Sequence, residues 1–151
     1  MLTAAPESFT ECIPELKEII GEHYEKLALN KDKVPLSPQW WFYIESEKKG
    51  EISFIALRSK GKIVGYAIFF IAPGLHYSTC LTANMDIWNI ISEYMGPKAI
   101  MTLWNAVEAE LKRRGVNRVF VGEKLHTPCG KLYKHLGYEP VEQTYTKWIQ
   151  D

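Results

Sequence analysis

The chain has 151 residues and a mass of 17.4 kDa, with 46% hydrophobic and 24% charged residues. That length suits one domain able to bury roughly two-thirds of its unfolded surface, and the residue balance excludes a disordered chain. The 18 basic and 18 acidic residues cancel, which excludes the basic footprint of a nucleic-acid binder. Cys12, Cys80 and Cys129 lie far apart without paired spacing, so no disulfide framework is expected and a reducing cytoplasm fits. Met1–Glu7 lacks the basic region and apolar run of a signal peptide, and the longest apolar run, Ile63–Pro73, is too short to span a bilayer. Membrane and nucleic acid are therefore not expected partners. Aromatic residues reach 13%, enough to line a pocket or an interface beyond the core.

Ile13, Leu16, Ile19, Ile20, Tyr24 and Leu27 recur at helical spacing and predict a helix over Pro14–Leu29, with Pro14 near its first turn. The polar segment Asn30–Ser37 is a loop. Ser37 then reads as an N-cap before Pro38, opening a second helix over Pro38–Lys48 that carries Trp40, Trp41, Phe42 and Ile44 and stops at Lys49-Gly50. The period next shortens. Ile52–Leu57 and Ile63–Ile71 read as strands joined by a tight turn at Ser59–Lys62, and a third strand follows over Cys80–Ile90. Ala99, Ile100, Leu103, Trp104, Val107 and Leu111 form a helical face that ends at Lys112–Gly115. Arg118–Val121 is a short strand, Pro128–Leu136 a short helix stopped by Gly137, and Val141–Ile149 alternates enough for a last strand. The strand–helix–strand passage favours a parallel pair after an antiparallel first half. The expectation is a mixed α/β sheet with helices on both faces.

Three passages carry a family resemblance. Gly61–Ala67 looks like a strand and its turn. Ile91–Gly96 is followed by a helix containing Val107–Val116. Gly130–Glu139 contains Leu132-Tyr133, then Gly137-Tyr138, close to a Leu-Tyr-x-x-x-Gly-Phe signature. With the order of elements, these resemble the GNAT N-acetyltransferases over nearly the whole chain, and most of all the small GNAT proteins carried by bacteriophages. The resemblance implies the GNAT fold and transfer of an acetyl group from acetyl-CoA to an amine of a small molecule or protein, in the cytoplasm (of the host, for a phage gene). It also implies cofactor contacts along Ile87, Trp88, Asn89 and Ile90, and at Gly96, Lys98 and Ala99. One passage departs from the family. Its pyrophosphate loop reads Arg/Gln-x-x-Gly-x-Gly/Ala, whereas here Met95 replaces the basic or amide residue and Pro97 removes an amide donor. Lys98 returns a positive charge near the phosphates.

Acylation of an amine needs a neutral nucleophile and a proton for the leaving thiolate. Tyr133 falls where the family's general-acid tyrosine falls; the bland reading is a tyrosine packed on the sheet. For the base, Asp86 ranks ahead of Glu93, Glu123 and His126, because a charge inside an apolar strand asks for a reason. His126-Thr127-Pro128-Cys129 is too sparse for zinc, and no metal is expected. Cys129 reads as packing, and His23 and His135 as structural histidines. Trp40, Tyr43 and His76 are candidate acceptor walls, with one division of the aromatic helix placing Trp41 and Ile44 in the core and Trp40 and Tyr43 outside it. A rival from another class is a GNAT-fold protein with weakened catalysis that docks on a protein partner through Trp40, Trp41 and Tyr43. A homodimer is also compatible.

Overall fold

Ser8 opens the first helix: its hydroxyl accepts from the Glu11 N–H at 3.3 Å. The capping pattern Ser8-x-x-Glu11 thus starts α1 at Phe9 rather than at the expected Pro14, and the helix runs Phe9–Leu27 with Pro14 inside it. The fold is described here for residues 1–151 from a computed structural model. Before α1 comes β1 (Leu2–Pro6), and after it α2 (Trp40–Lys48), β2 (Ile52–Ser59), β3 (Lys62–Pro73), β4 (Leu81–Ile90), a single 3₁₀ turn at Ser92–Tyr94, α3 (Pro97–Arg113), β5 (Arg118–Phe120) and α4 (Gly130–His135). The five strands form one sheet in the order β1-β2-β3-β4-β5, antiparallel except for the parallel β4–β5 pair.

Two apolar layers hold the sheet between its helices. On one face α3 and α4 pack around Trp104, which is fully buried and meets the rings of Phe69, Trp88, Tyr133 and Tyr138 edge-on at 5.6–6.2 Å. On the other, α1 brings Phe9, Cys12 and Leu16 onto Phe54, Ile63, Tyr66 and Ile68. There α2 is tied to the start of α1 by Glu47, whose carboxylate accepts from the Thr10 N–H at 3.2 Å and the Thr10 hydroxyl at 2.8 Å. An anion at the positive end of the α1 dipole is favourable.

Two expectations fail. β1 was not expected from Leu2-Thr3-Ala4-Ala5-Pro6, because alanine and proline are poor strand formers. Its register with β2, from Leu2 opposite Ser59 to Pro6 opposite Ile55, makes it a strand. Conversely, Val141–Ile149 forms no strand. It runs unpaired, with Val141, Tyr145 and Ile149 strongly exposed.

Gly65 sits opposite Ile90 in the β3–β4 ladder. A Cβ there would stand 2.9 Å from both the Asn89 carbonyl oxygen and Ile90 Cγ1. Backbone on one side cannot yield cheaply, so Gly65→Ala is expected to destabilise the fold by about 1–3 kcal/mol. Urea unfolding of the variant measures this, and a stability equal to wild type contradicts it.

Candidate active site

β4 and β5 pair only over Thr82–Asn84 and Arg118–Phe120. Beyond Asn84 the strands part, and the β4 edge facing β5 is left without a partner strand as far as Ile90. Opposite, on the β3 side, the register steps from Ile68–Ile87 to Phe69–Met85. Asp86 is therefore the extra residue of a β-bulge, which re-aims its side chain. These two irregularities, side by side on β4, open a cavity of about 850 Å³ between α1, α2 and the sheet, reaching through the parting to Gly122 and Tyr133.

Asp86 stands in the cavity wall, where its Oδ2 accepts from the Tyr43 hydroxyl at 2.7 Å. Water reaches the carboxylate through the cavity mouth, yet protein surrounds it on most sides. That burial raises its pKa, and the Tyr43 hydrogen bond draws it only partway back. Burial also raises the Tyr43 phenol, with the Asp86 charge adding to the effect. Tyr43 is held by its ring, stacked on Phe9 at 5.0 Å and tilted against Phe70 at 5.6 Å. Trp40 lines the same cavity. Trp41, expected in the core, is instead 64% exposed. α2 starts at Trp40, so Trp40 and Tyr43, one turn apart, share the inward face and Trp41 points away.

At the parting, the Tyr133 hydroxyl donates to the Gly122 carbonyl at 2.7 Å and accepts from Trp88 Nε1 at 3.1 Å. The ring is packed against Trp104, which fixes it. Burial pushes the phenol above its ordinary pKa. It is thus protonated at neutral pH, with its proton held on Gly122. α3 begins just past β4. Gly96 caps it in an extended conformation (φ 174°), and a Cβ there would meet nothing within 4 Å. The opening N–H groups of Lys98 and Ala99 lack carbonyls one turn back. Lys98 is exposed and Ala99 is buried against the sheet, so Ala99 offers only its backbone.

The remaining candidates scatter. Glu123 lines the cavity and accepts from the Cys129 N–H. Burial raises the Cys129 thiol, with the Glu123 charge in second place, which disfavours a thiolate. His126 lies outside the cavity lining, with Nε2 3.0 Å from the Lys26 carbonyl oxygen. Glu93 and His135 are exposed and outside the cavity lining. His76 is a correction. Its loop follows β3 at the end of the sheet where β4 and β5 are paired, with Arg118 5.3 Å over the Tyr77 ring, so His76 walls no part of the cavity. No three His, Cys, Asp or Glu side chains converge as a metal site, and no helix is long and apolar enough to cross a membrane.

His23, read as a structural histidine, Asn89, read as a cofactor contact, and Tyr66, given no role, come together in the structure. His23 lies on the buried face of α1 at 1% exposure. Its Nδ1 is 2.6 Å from the Tyr66 hydroxyl, and its Nε2 has no partner. Tyr66 is paired across β3–β4 with Asn89, a buried residue whose Nδ2 is also unpartnered. Both Tyr66 and Asn89 line the cavity with His23. The available signal was His23 itself, seven residues after Leu16 on the apolar stripe.

No family model and no curated protein sequence matches the chain. Solved structures do. An aminoglycoside acetyltransferase from an uncultured soil metagenomic sample superposes with a TM-score of 0.76 at 12% identity, over 99% of each chain. The ribosomal-protein-alanine N-acetyltransferase of Brucella melitensis gives 0.72 at 14%, covering 99% of this chain and 100% of its own. An aminoglycoside acetyltransferase in complex with a CoA bisubstrate analogue gives 0.68 at 13%, covering 100% of this chain and 99% of its own. At such identities the likeness shows the fold: this chain is built as these acetyltransferases are, with the mixed sheet and flanking helices that were expected.

Burial, helped by the Lys26 charge, lowers the His23 pKa from 6.5 to about 4. The folded state therefore resists a proton that the unfolded chain accepts. Stability is fully present above pH 6.5 and falls as pH drops toward 4, by about 3 kcal/mol in all. Denaturant unfolding between about pH 5 and 6.5, above the carboxylate range, is expected to show this slope in wild type and not in His23→Phe. Equal slopes in the two proteins contradict the assignment.

Proposed function

We propose that the protein is an N-acetyltransferase that moves the acetyl group of acetyl-CoA to an amine bound in the aromatic-walled cavity. The observation that carries this reading is the placement of a carboxylate, Asp86, held by a hydrogen bond from Tyr43, and a buried phenol, Tyr133, in one cavity at the parting of β4 and β5. The shared fold supports it, because a structure of that fold holds a CoA bisubstrate analogue.

In this reading the unpaired edge of β4, Asp86–Ile90, takes the pantetheine arm as an added strand through its backbone groups. The N–H groups of Lys98 and Ala99, the Lys98 charge and the α3 dipole receive the pyrophosphate; Pro97 leaves this site one donor short. The acceptor lies against Trp40 and Tyr43. Asp86, directly or through water, takes a proton from the acceptor's ammonium, and its raised pKa makes it a better base than an exposed aspartate. The neutral amine attacks the thioester carbonyl, the C–N bond forms and the C–S bond breaks. The thiolate leaves with the Tyr133 proton, the new amide nitrogen sheds its second proton through water to the Tyr133 phenolate, and Asp86 returns its proton to solvent. For this the Tyr133 hydroxyl must turn from the Gly122 carbonyl toward the sulfur, so Tyr133 is held in place by a hydrogen bond it gives up during turnover.

Three measurements test the reading. Millimolar acetyl-CoA is expected to raise the melting temperature by linkage of binding to stability; no rise overturns the proposal and favours a protein-docking role. Gly96→Trp fills open space beside the α3 N-terminus without disturbing packing, so it is expected to abolish CoA binding in calorimetry while the protein stays folded. Unchanged affinity would place the cofactor elsewhere. Tyr133→Phe is expected to slow turnover roughly 10²-fold or more. It also removes the buried bond to Gly122, so it is expected to cost about 1 kcal/mol of stability. A wild-type rate in this variant removes Tyr133 from the proton path.

A further inference from the structure

His23, Tyr66 and Asn89 make a polar patch in the cavity wall, bordered by apolar side chains. Ile68 and Ile87 pair across the strands beside them, and Phe9 and Leu16 close the same face from α1. A buried polar atom without a partner is costly, on the order of 1–3 kcal/mol. Here two of them, His23 Nε2 and Asn89 Nδ2, belong to side chains that line the same cavity and are 1% and 5% exposed. The third member, the Tyr66 hydroxyl, is bound to His23 Nδ1 at 2.6 Å and lies across the ladder from Asn89. Directly opposed residues project to the same side of a sheet with Cβ atoms only ~5 Å apart.

Resting on the acetyl-transfer reading, the geometry points to His23, Tyr66 and Asn89 as the specificity-determining end of the acceptor site, which receives an uncharged hydroxyl group of the amine substrate. The chemistry selects a hydroxyl. A neutral imidazole offers one donor and one acceptor, the phenol offers both, and the Asn89 amide nitrogen is a donor. A hydroxyl, itself donor and acceptor, can satisfy such a set in either tautomer of His23. A carboxylate or phosphate would need a cation. No lysine or arginine hydrogen-bonds to the three, and Lys26, whose charge reaches His23, is paired with Glu22 at 3.0 Å. The spacing fixes the rest of the ligand. Asn89 and Asp86 lie three positions apart on β4, at most ~10 Å along the bulged strand. An amine at Asp86 and a hydroxyl at Asn89 are thus joined by a short apolar body lying on Ile68 and Ile87.

Pairs of amines that differ by one hydroxyl test this: tyramine against phenethylamine, and terminal amino alcohols against the matching alkylamines. In wild type at least one hydroxylated member is expected to be preferred by ~10-fold or more in kcat/KM, because its absence strands the buried polar atoms. Asn89→Leu and Tyr66→Phe are each expected to shrink that ratio toward unity. No preference in any pair, or a preference that survives in both variants, overturns the proposal. A readout free of turnover and of variants separates its failure from that of the acetyl-transfer reading. With ¹⁵N-labelled histidine, the His23 Nε2 resonance is expected to move on addition of tyramine and to stay on addition of phenethylamine. That result in a protein that acetylates neither keeps the hydroxyl site and rejects the reaction. No movement with tyramine or with any amino alcohol rejects the site.

Discussion

The cavity in this molecule depends on β4 losing its partner. A strand inside a sheet spends its backbone groups on two neighbours. β4 does so only to Asn84, after which β5 diverges and a row of donors and acceptors is left facing a cavity. An unpaired edge is normally a liability, since it invites pairing with another chain. Here it lies between Tyr133 and the start of α3 rather than on an outer rim, so the geometry that leaves it free also limits what can reach it. The bulge at Asp86, in the same stretch, turns an acid toward the opposite face.

The two faces of the sheet consequently hold different chemistry. The α3–α4 face is a dense aromatic packing around Trp104, and it brings to the cavity the Tyr133 hydroxyl, hydrogen-bonded between Gly122 and Trp88, with Met85, Trp88 and Cys129 beside it. The α1–α2 face is looser at the cavity and richer in polar atoms: Tyr43 and Asp86 at one end, His23, Tyr66 and Asn89 at the other. One side of the cavity thus presents a hydrogen-bonded phenol, the other a wall with two unpartnered polar atoms, His23 Nε2 and Asn89 Nδ2. Glu22 adds to this order. Its carboxylate accepts from the Ser92 N–H at 2.9 Å and hydroxyl at 2.7 Å, and these bonds first, then the Lys26 pairing, lower its pKa to about 2. α1 and the turn leading to α3 are thereby joined.

Much of this was legible in the residues. The change of period after Gly50, the basic end of α3 and the Leu132-Tyr133 to Gly137-Tyr138 passage place their elements correctly, because each is a local signal. Asp86 was readable as a charge out of place. On the aromatic helix Trp40 and Tyr43 were set apart from Trp41, but the division that buried Trp41 in the core fails, because with the helix taken to begin at Pro38 its inward face was not fixed. His76 and the last strand failed for a related reason, since a loop's position and a strand's partner depend on what stands beside them.

By itself the sequence determined the helices and the strands β2 to β5, since periodicity, caps and turn residues act over a few positions of chain. It also determined a mixed sheet and a phenol and carboxylate as the titratable groups to watch. Only the tertiary structure decided that β1 exists, that β4 and β5 part after three residue pairs, and that His23, Tyr66 and Asn89 meet. These are facts of register and of packing between residues tens of positions apart. A one-residue step in pairing moves a side chain to the other face of a sheet, and no local pattern records where such a step falls.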